Sequence, residues 1–309
     1  MRVMYTSLKN KILDNCIMTS INIINPLFLA AYFGYPSLIN GSGGNISLAV
    51  NEFKIYDQII LGTGLQLLSH DDHFNSVSII SDSEMKDVQV FGYVESTDTP
   101  AVYQENIDLW KDMGVKGICC MNFDYSAVNT RAHQNDLVNY IHSKDLVAMV
   151  SSWDPDNVFS SAVDATFNPL GVAPVIGAND WFLAQSYQIV FGTYQNETDW
   201  VSRSNKLKTY TQTFGSKIAC LTTTDDSPFD QNKFDYSYFS TLLYNFHAHG
   251  WGELYYSAAS SQLPPRERKT FYGQKFLGNI TVNGGIYQRK AKVGIYIDTN
   301  THDTDIILQ

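Results

Sequence analysis

The chain has 309 residues, of which 44% are hydrophobic and 13% aromatic, so it can bury a large core. Charged residues make up only 17%, a composition that argues against a disordered or coiled-coil chain. The formal net charge is −10 and the basic residues form no long run, so we expect no nucleic-acid partner.

The first apolar stretch, residues 16–33, raises the question of a signal peptide or a membrane span. Asn22, Asn25 and Pro26 interrupt this stretch, and it continues directly into the core-like sequence at residues 32–36. We therefore expect no membrane span, and we assign residues 1–27 to an N-terminal extension.

Short apolar runs then alternate with helix-like stretches, which is the pattern of βα units around a parallel sheet. The predicted strands are residues 28–35, 58–62, 88–94, 117–121, 147–153, 181–187, 217–223 and 251–256. Eight strands in a chain of this size predict an α/β fold, the (β/α)8 TIM barrel, which we place at residues 28–262.

Three of the intervening stretches carry clear helical patterns. Residues 100–113 repeat apolar side chains on one face before Gly114 ends the helix, and residues 131–143 carry a similar stripe. Residues 198–213 predict a third helix, with Thr198 as its N-cap.

The chain changes character after residue 256. Residues 257–261 are small and polar, Pro264 and Pro265 form a stiff break, and residues 266–269 are basic, which together predict a linker. Strand-like runs follow, and an Asn-Gly pair between two of them predicts a hairpin. These runs are residues 279–282, 291–296 and 305–308.

Residues 263–309 are thus predicted to be a linker and a short C-terminal β extension. The region is too short for an independent β-sandwich, which needs about 100 residues. We expect its sheet to be completed by a partner chain or by the barrel.

The four cysteines, Cys16, Cys119, Cys120 and Cys220, have no zinc-type spacing. Because Cys119 and Cys120 are adjacent, their side chains should point to opposite faces of a strand. We expect free, buried thiols in a protein that folds in a reducing cytosol, with no cofactor.

Two histidine-containing runs resemble metal sites. Residues 70–73 (HDDH) lie in a predicted loop after the second strand, where such residues are ordinarily solvated. His247 and His249 alternate on an extended segment and would share a face. We expect packing or hydrogen bonding there, and no metal site in either run.

In a (β/α)8 barrel the functional residues lie at the carboxyl ends of the strands. Aromatic rings and carboxylates occupy those positions here, a mixture that suits a sugar, because rings stack on sugars and acids accept hydrogen bonds from hydroxyls. Hydrolysis would further require two carboxyl groups that face each other. The predicted ligand-binding residues are Tyr35, Tyr93, Glu95, Asn122, Trp153, Gln185 and Asp225.

Seven stretches of the chain resemble a known family. They are residues 32–36 (YFGYP), 90–94 (VFGYV), 110–118 (WKDMGVKGI), 130–142 (TRAHQNDLVNYIH), 180–187 (DWFLAQSY), 219–234 (ACLTTTDDSPFDQNKF) and 246–253 (FHAHGWGE). In their order and spacing, the chain is similar to the spherulin-4-like and polygalactosaminidase-type glycoside hydrolases. It looks closest to barrel-bearing structural or tail-associated proteins of tailed bacteriophages.

Two departures from that family bear on activity. In the hydrolases, strand four ends in a Phe-Leu-Asp-Glu-like run whose Asp is catalytic, and the matching position here is Met121. The family's Glu before Ser in strand six is replaced by Gln185. A thioether transfers no proton, and an amide has no acid or base form near neutral pH, so the resemblance implies a barrel without hydrolase activity.

Three other acids are the candidates for catalysis if activity survives: Asp124, Asp226 and Glu253. Asp124 follows Met121 by three positions, roughly 10 Å along an extended strand. Asp226 and its neighbour Asp225 are also typical of helix caps and turns. Glu253 would equally line the mouth or pair with a basic residue.

Three functions follow from these patterns. The first is a structural virion protein, assembled in the host cytoplasm as a homo-oligomer, whose C-terminal strands pair with other virion proteins. The second is an active hydrolase that degrades a bacterial surface polysaccharide. The third is a lectin-like adhesin that stacks host glycans on Tyr35, Tyr93 and Trp153, which is compatible with the first.

Overall fold

The structure is a computed structural model that describes residues 20–62, 64–255, 262–291 and 293–308. Eight parallel strands close into one barrel, which confirms the predicted (β/α)8 TIM fold. The N-terminal residues that include Cys16, and the small polar run 257–261, lie outside the described residues. The barrel strands are β1 (Leu27–Tyr32), β2 (Gln58–Leu61), β3 (Gln89–Glu95), β4 (Gly117–Met121), β5 (Val147–Ser151), β6 (Trp181–Gln185), β7 (Lys217–Leu221) and β8 (Ala248–Gly250).

A helix follows each of the first seven strands. The seven are α1 (Ile46–Phe53), α2 (His73–Ile80), α3 (Pro100–Asp112), α4 (Arg131–Ser143), the single turn α5 (Asp156–Phe159), α6 (Glu197–Phe214) and α7 (Gln231–Tyr244). The N-cap prediction for α6 was wrong by two residues, because the side chain of Asn196, not Thr198, accepts the first N–H groups. No helix in the described parts of the chain is long and apolar enough to cross a membrane.

The barrel interior is filled by side chains and is not a pore. Leu29, Phe91, Met149 and Leu183 are among the buried residues that point inward. Gly117 makes room for this packing, because a Cβ atom there would lie 2.5 Å from the Phe91 ring.

The described cysteines are free and buried, as predicted. Cys119 points into the barrel interior and Cys120 into the layer between strands and helices, which confirms their opposite directions. Cys220 packs in the same outer layer as Cys120, and burial raises its pKa to about 12, so it remains an inert thiol at neutral pH.

The predicted eighth strand, residues 251–256, was wrong. The strand is Ala248–Gly250, and it carries a histidine where an apolar residue would be expected. His249 is accommodated because its Nε2 lies 2.9 Å from the Ser237 hydroxyl on α7, and burial lowers its pKa to about 3. His247 accepts a hydrogen bond from the Ile218 N–H, so hydrogen bonding and packing explain both histidines, as expected.

The prediction that residues 70–73 are solvated was wrong for two of the four. Asp72 is buried and accepts hydrogen bonds from the backbone N–H and the hydroxyl of Ser37. His73 is also buried, with its Nδ1 2.9 Å from the Leu65 carbonyl oxygen. These residues tie the loop after β2 to the loop after β1, and no cluster of three potential metal ligands occurs among the residues that the structure describes.

The segment with the predicted linker packs closely on the barrel wall. Leu263 and Phe271 are buried, and Asn40, in the loop after β1, bonds both the N–H and the carbonyl of Leu263. On the other side, the Tyr238 hydroxyl of α7 donates to the Lys269 carbonyl. Residues 263–271 thus fill, in extended form, the place between α7 and α1 where an eighth helix lies in a regular barrel.

The C-terminal extension is a four-stranded antiparallel sheet of β9 (Thr281–Asn283), β10 (Ile286–Arg289), β11 (Val293–Asp298) and β12 (Thr304–Leu308). The predicted Asn-Gly hairpin joins β9 to β10, with Gly284 and Gly285 both at positive φ. Strand β10 was missed because its polar residues break the apolar pattern. The sheet packs on the barrel, where Tyr287 stacks edge-on against Trp200 and donates to Glu197 of α6.

At the amino-terminal end of the strands, His142 and Asp180 connect α4 to the loop before β6. Asp180 is buried and accepts hydrogen bonds from the backbone N–H groups of Ala148 and Gly177, so its carboxylate is already fixed in place. The Nε2 atom of His142 lies 2.9 Å from this carboxylate. The hydrogen bond to Asp180 raises the pKa of His142, against the smaller opposing effect of burial.

We expect this pair to make stability depend on pH. Because the pKa of His142 is raised by folding, its contribution is present below the unfolded pKa of about 6.5 and is lost as pH rises through the folded value. Replacing His142→Gln should therefore cost more free energy of unfolding at about pH 5.5 than at about pH 8, as measured by urea denaturation. An equal cost at both pH values would contradict the assignment.

Candidate functional site

A cleft of about 310 Å³ opens at the carboxyl ends of the barrel strands. Its walls come from the ends of β3–β7, the loops that follow them, one residue of α6 and one residue beyond β8. The lining residues are Tyr93, Met121, Asn122, Asp124, Ser151, Ser152, Trp153, Gln185, Ser186, Phe191, Arg203, Thr223 and Tyr255. This is the position at which (β/α)8 barrels place their functional groups.

Three aromatic side chains with open faces stand around the cleft. Trp153 is 55% exposed, Phe191 61% and Tyr255 56%, although rings of this size are normally buried. The rings of Phe191 and Tyr255 meet edge to face, with centroids 6.4 Å apart. The Arg203 guanidinium lies 5.0 Å from the Trp153 ring centroid and supports that ring from the protein side. The cleft therefore presents flat apolar surfaces that a ligand can cover.

Four of the nine described residues other than glycine that have positive φ line this cleft. Asn122 and Ser186 both have φ of 54°. Phe191 and Tyr255 have φ of 45° and 55°. Left-handed conformations in residues other than glycine cost about 1–3 kcal/mol each and persist only where the surrounding structure fixes them. The cleft is thus a constrained part of the fold, which is typical of binding and catalytic sites.

A short hairpin after β6 holds Phe191 at the mouth. Strands Ile189–Val190 and Thr193–Tyr194 form it, and Thr223 anchors its tip by accepting from the N–H of Phe191 at 3.1 Å and of Gly192 at 3.1 Å. Gly192 is required there, because its φ is 75° and a Cβ atom would lie 2.6 Å from the Asp225 carboxylate.

Asp124 is the carboxylate that lines the cleft, and hydrogen bonds occupy both of its oxygens. It accepts from the Ser152 hydroxyl at 2.5 Å, the Trp153 N–H at 2.8 Å, the Asp154 N–H at 3.2 Å and the Asn157 amide at 3.2 Å. A carboxylate with four donors is held in a fixed orientation. Its role in the structure is to shape the loop after β5 that carries Trp153.

Glu95 lies at the end of β3, beside the cleft. Its carboxylate accepts from the Tyr93 hydroxyl at 2.9 Å and from the Asn122 amide, which is 3.0 Å from both oxygens. Burial, and to a lesser degree the charge of Glu95, raises the pKa of nearby Asp98. Asn122 lines the cleft itself, so its amide links the Glu95 carboxylate to the cleft wall.

Arg203 joins the ends of β5 and β6 beneath the cleft. Its Nη atoms donate to the Gln185 carbonyl at 2.6 Å and the Ser152 carbonyl at 3.0 Å. Burial lowers its pKa to about 10, and none of the described carboxylates lies within ion-pair distance of it. The cation fixes the two strand ends relative to each other and supports Trp153.

The two positions at which the sequence departs from the hydrolases form part of the floor. Met121 is buried in the barrel interior, with its sulfur 3.7 Å from that of Cys119. Gln185 accepts a hydrogen bond from the Ser151 hydroxyl at 2.8 Å. Neither side chain can exchange a proton with a substrate near neutral pH, and the groups beside them are hydroxyls, amides and a thiol.

The structure brings four of the seven predicted ligand-binding residues to the cleft, namely Tyr93, Asn122, Trp153 and Gln185. Glu95 reaches it through Asn122. Tyr35 is not among the lining residues; its ring lies 5.0 Å from that of His70. Asp225 accepts a turn hydrogen bond from the Ser227 N–H, and the hydrogen bonds with Ser227 lower its pKa.

The three acids proposed for catalysis are not brought together. Asp124 lines the cleft, Asp226 is exposed on the loop after β7, and Glu253 lines a different, smaller pocket. Arg266 holds Glu253 in a bidentate ion pair, with N–O distances of 2.8 and 2.6 Å. Glu253 therefore forms the pairing with a basic residue that was one of its two predicted roles.

Several lining residues escaped prediction. Phe191 and Tyr255 belong to loops whose course depends on the missed hairpin and on the misplaced eighth strand. Arg203 is one of several charged residues in α6, and the sequence does not mark it as buried. The hydroxyl-bearing residues Ser151, Ser152, Ser186 and Thr223 lie at or within two residues of a strand end, and this position is the signal that could have identified them.

No family model matches the sequence, and no curated protein matches it. Among solved structures, Amy13B of Eubacterium rectale is similar over 90% of this chain and 87% of its own, with 11% identity and a TM-score of 0.52. The endo-beta-N-acetylglucosaminidase of Cordyceps militaris covers 73% of this chain and 81% of its own, with 15% identity and a TM-score of 0.44. At identities this small, the similarity concerns the fold alone. By the first comparison and by its closed barrel, the chain is a TIM barrel.

Proposed function

We propose that this protein binds carbohydrate at the aromatic cleft without hydrolysing it. The observation that carries the proposal is the pairing of open aromatic faces with a lining carboxylate, Asp124, whose two oxygens accept four hydrogen bonds from nearby protein groups. Aromatic rings stack on the apolar faces of sugars, and hydroxyls and amides around them hydrogen-bond the sugar hydroxyls.

Hydrolysis needs more than this cleft offers. Inverting and retaining glycosidases place two carboxyl groups on either side of the scissile bond, about 5–9.5 Å apart, and one of them must supply a proton. The carboxylate that lines the cleft, Asp124, is held by four donors, and Glu95, beside the cleft, accepts from the Asn122 amide. Met121 and Gln185 add no acid or base.

We further propose that the protein is a structural component of a bacteriophage virion and recognises a glycan of the host surface. The support is the resemblance of residues 28–256 to barrel-bearing phage proteins, together with the C-terminal sheet. Strands β9 and β12 each pair on one side only within the described residues, and such edges accept strands of a neighbouring chain. In this role, we expect the protein to form a homo-oligomer and also to contact other virion proteins.

Replacing Trp153→Ala is expected to weaken glycan binding by roughly 10- to 100-fold, because a stacked ring contributes about 1–3 kcal/mol. The measurement is binding of the purified protein to an array of bacterial surface glycans, followed by titration of the best ligand. Since Trp153 is more than half exposed, stability should change little. Tyr272→Ala is the matched control, because Tyr272 is 79% exposed and is not among the cleft residues.

The same glycans should release no reducing ends during long incubation with the wild-type protein. Hydrolysis that Asp124→Asn abolishes would overturn the non-catalytic assignment in favour of a depolymerase. Equal loss of binding in the Trp153 and Tyr272 variants would argue against the cleft as the binding site. Mass spectrometry of purified particles tests the virion role, and a free monomer never found in particles would refute it.

A further inference from the structure

A second pocket, of about 240 Å³, lies at the amino-terminal end of the barrel, opposite the cleft. Its apolar walls are Ile21, Ile24 and Phe246, the last two beside the starts of β1 and β8. Lys208 of α6 and Arg289 of β10 are its charged lining residues, and the others are Thr211, Gln212, Tyr244, Asn245 and His247. We call it the Lys208 pocket.

The charges around this pocket have one sign. Arg289 is 2% exposed, and it donates to the carbonyl oxygens of Gly278 at 3.0 Å and Leu243 at 3.1 Å. These partners are neutral, and Leu243 lies in the last turn of α7, whose dipole partly offsets the cation. Lys208 forms no ion pair with any carboxylate in the described ranges. The chain has a net charge of −10, whereas the lining of this apolar pocket contains two cations and no acidic residue.

His247, which also lines the pocket, is a hydrogen-bond donor. The Ile218 N–H donates to Nδ1 of His247 at 3.1 Å, so the neutral imidazole carries its proton on Nε2. Burial, and then the charge of Lys217, lowers the pKa of His247 to about 4, which keeps it neutral. Burial and the charge of Arg289 likewise lower the pKa of Lys208. The charged groups that act on these side chains are cations, so an anion placed here would stabilise them.

We infer that the Lys208 pocket binds a small carboxylate carried on a short apolar chain, such as a medium-chain fatty acid. The ammonium of Lys208 and the buried guanidinium of Arg289 match the charge of the head group. The isoleucines and Phe246 match the chain. The pocket volume lies just below the usual range of about 300–1,000 Å³ for ligand pockets, which limits the ligand to a short amphiphile.

Octanoate is the probe, and its dissociation constant is measured by NMR titration of the wild-type protein. Octanol has the same chain without the charge, and acetate has the charge without the chain, so both should bind at least about tenfold more weakly. Lys208→Gln should weaken octanoate binding by roughly tenfold and leave octanol unchanged. Ile21→Ser, at a position that is 42% exposed, should weaken both ligands.

Lys111→Gln is the charge-matched control, because Lys111 is an exposed lysine of α3 and does not line the pocket. Equal affinity for octanoate and octanol would overturn the inference, because the pocket would then recognise only the chain. So would an octanoate affinity that Lys208→Gln leaves unchanged, or no octanoate binding up to about 10 mM. Circular dichroism of each variant separates these results from a failure to fold.

Discussion

Glu253→Ala is expected to lower the free energy of unfolding by about 3 kcal/mol, at the low end of the range for breaking a buried ion pair. The side chains of Glu253 and Arg266 are only 11% and 19% exposed, and the pair is bidentate. Removing the carboxylate leaves a mostly buried guanidinium without its counter-charge. The Arg266 guanidinium also stacks 3.7 Å from the Phe229 ring centroid, so it has little freedom to turn toward water.

The structural role of this pair makes the effect large. Arg266 belongs to the extended segment 263–271, which covers the barrel wall in place of an eighth helix, and Glu253 follows β8. The ion pair thus fixes the segment to the end of the barrel strand that it covers. Loss of the pair should loosen the segment as a unit, since its other anchors, Leu263 and Phe271, lie on either side of it.

A double-mutant cycle with Arg266→Met, followed by urea denaturation, checks the expectation. If Glu253→Ala lowers the free energy of unfolding because the Arg266 guanidinium is left without its counter-charge, the double variant should be more stable than Glu253→Ala alone. Additive losses would contradict this account. The cycle also separates two roles for Glu253, because a catalytic acid would affect turnover and leave unfolding nearly unchanged.

The sequence predicted the barrel well where strands are uniformly apolar. Strand β4 was predicted at its observed bounds, because residues 117–121 face the interior and the helix layer with apolar or sulfur-bearing side chains on both sides. Strand β8 was missed, since its middle residue is a histidine whose burial depends on the Ser237 hydroxyl of α7. The Ser237 hydroxyl comes close to His249 only in the folded chain, so the hydrophobic pattern could not predict that this histidine is buried.

The extended segment 263–271 is a second feature that the hydrophobic pattern could not predict, because here a sequence typical of a linker is buried. Prolines and basic residues around positions 264–269 are typical of a linker, yet Leu263 and Phe271 bury on the barrel, and Arg268 donates to the Pro26 carbonyl at 2.7 Å. Two apolar anchors eight residues apart in an extended chain have no helical or strand period. Their burial depends on the gap that the missing eighth helix leaves in the wall.

The candidate site was predictable to the extent that strand ends were. Trp153, Asn122 and Gln185 follow directly from the positions of β4–β6, and all three line the cleft. The roles of the acidic residues could not be predicted from their positions at strand ends. Whether Asp124 is free to react depends on four donors in the loop after β5, and whether Glu253 is free depends on an arginine thirteen residues later.

Gly92→Ala is expected to destabilise the protein by at least about 3 kcal/mol, because the new methyl group has no space. A Cβ atom at position 92 would lie 2.2 Å from Cδ2 of Trp110, closer than any real contact. Trp110 is fully buried on α3, and its Nε1 donates to the Tyr93 carbonyl at 2.9 Å, so the indole cannot move away without losing that bond. The methyl group must therefore displace α3 from β3.

Gly177→Ala is the matched control, because a Cβ atom at position 177 would have no heavy atom within 4 Å. The free energy of unfolding of this variant should stay within about 1 kcal/mol of the wild type. Any increase would come from the lower conformational entropy that alanine gives the unfolded chain. Thermal and urea unfolding of both variants provide the comparison. If Gly92→Ala is too unstable to purify, the double variant with Trp110→Leu should recover soluble protein, since it removes the ring that the methyl group meets. A Gly92→Ala protein as stable as Gly177→Ala would mean that α3 packs less tightly on β3 than these distances require.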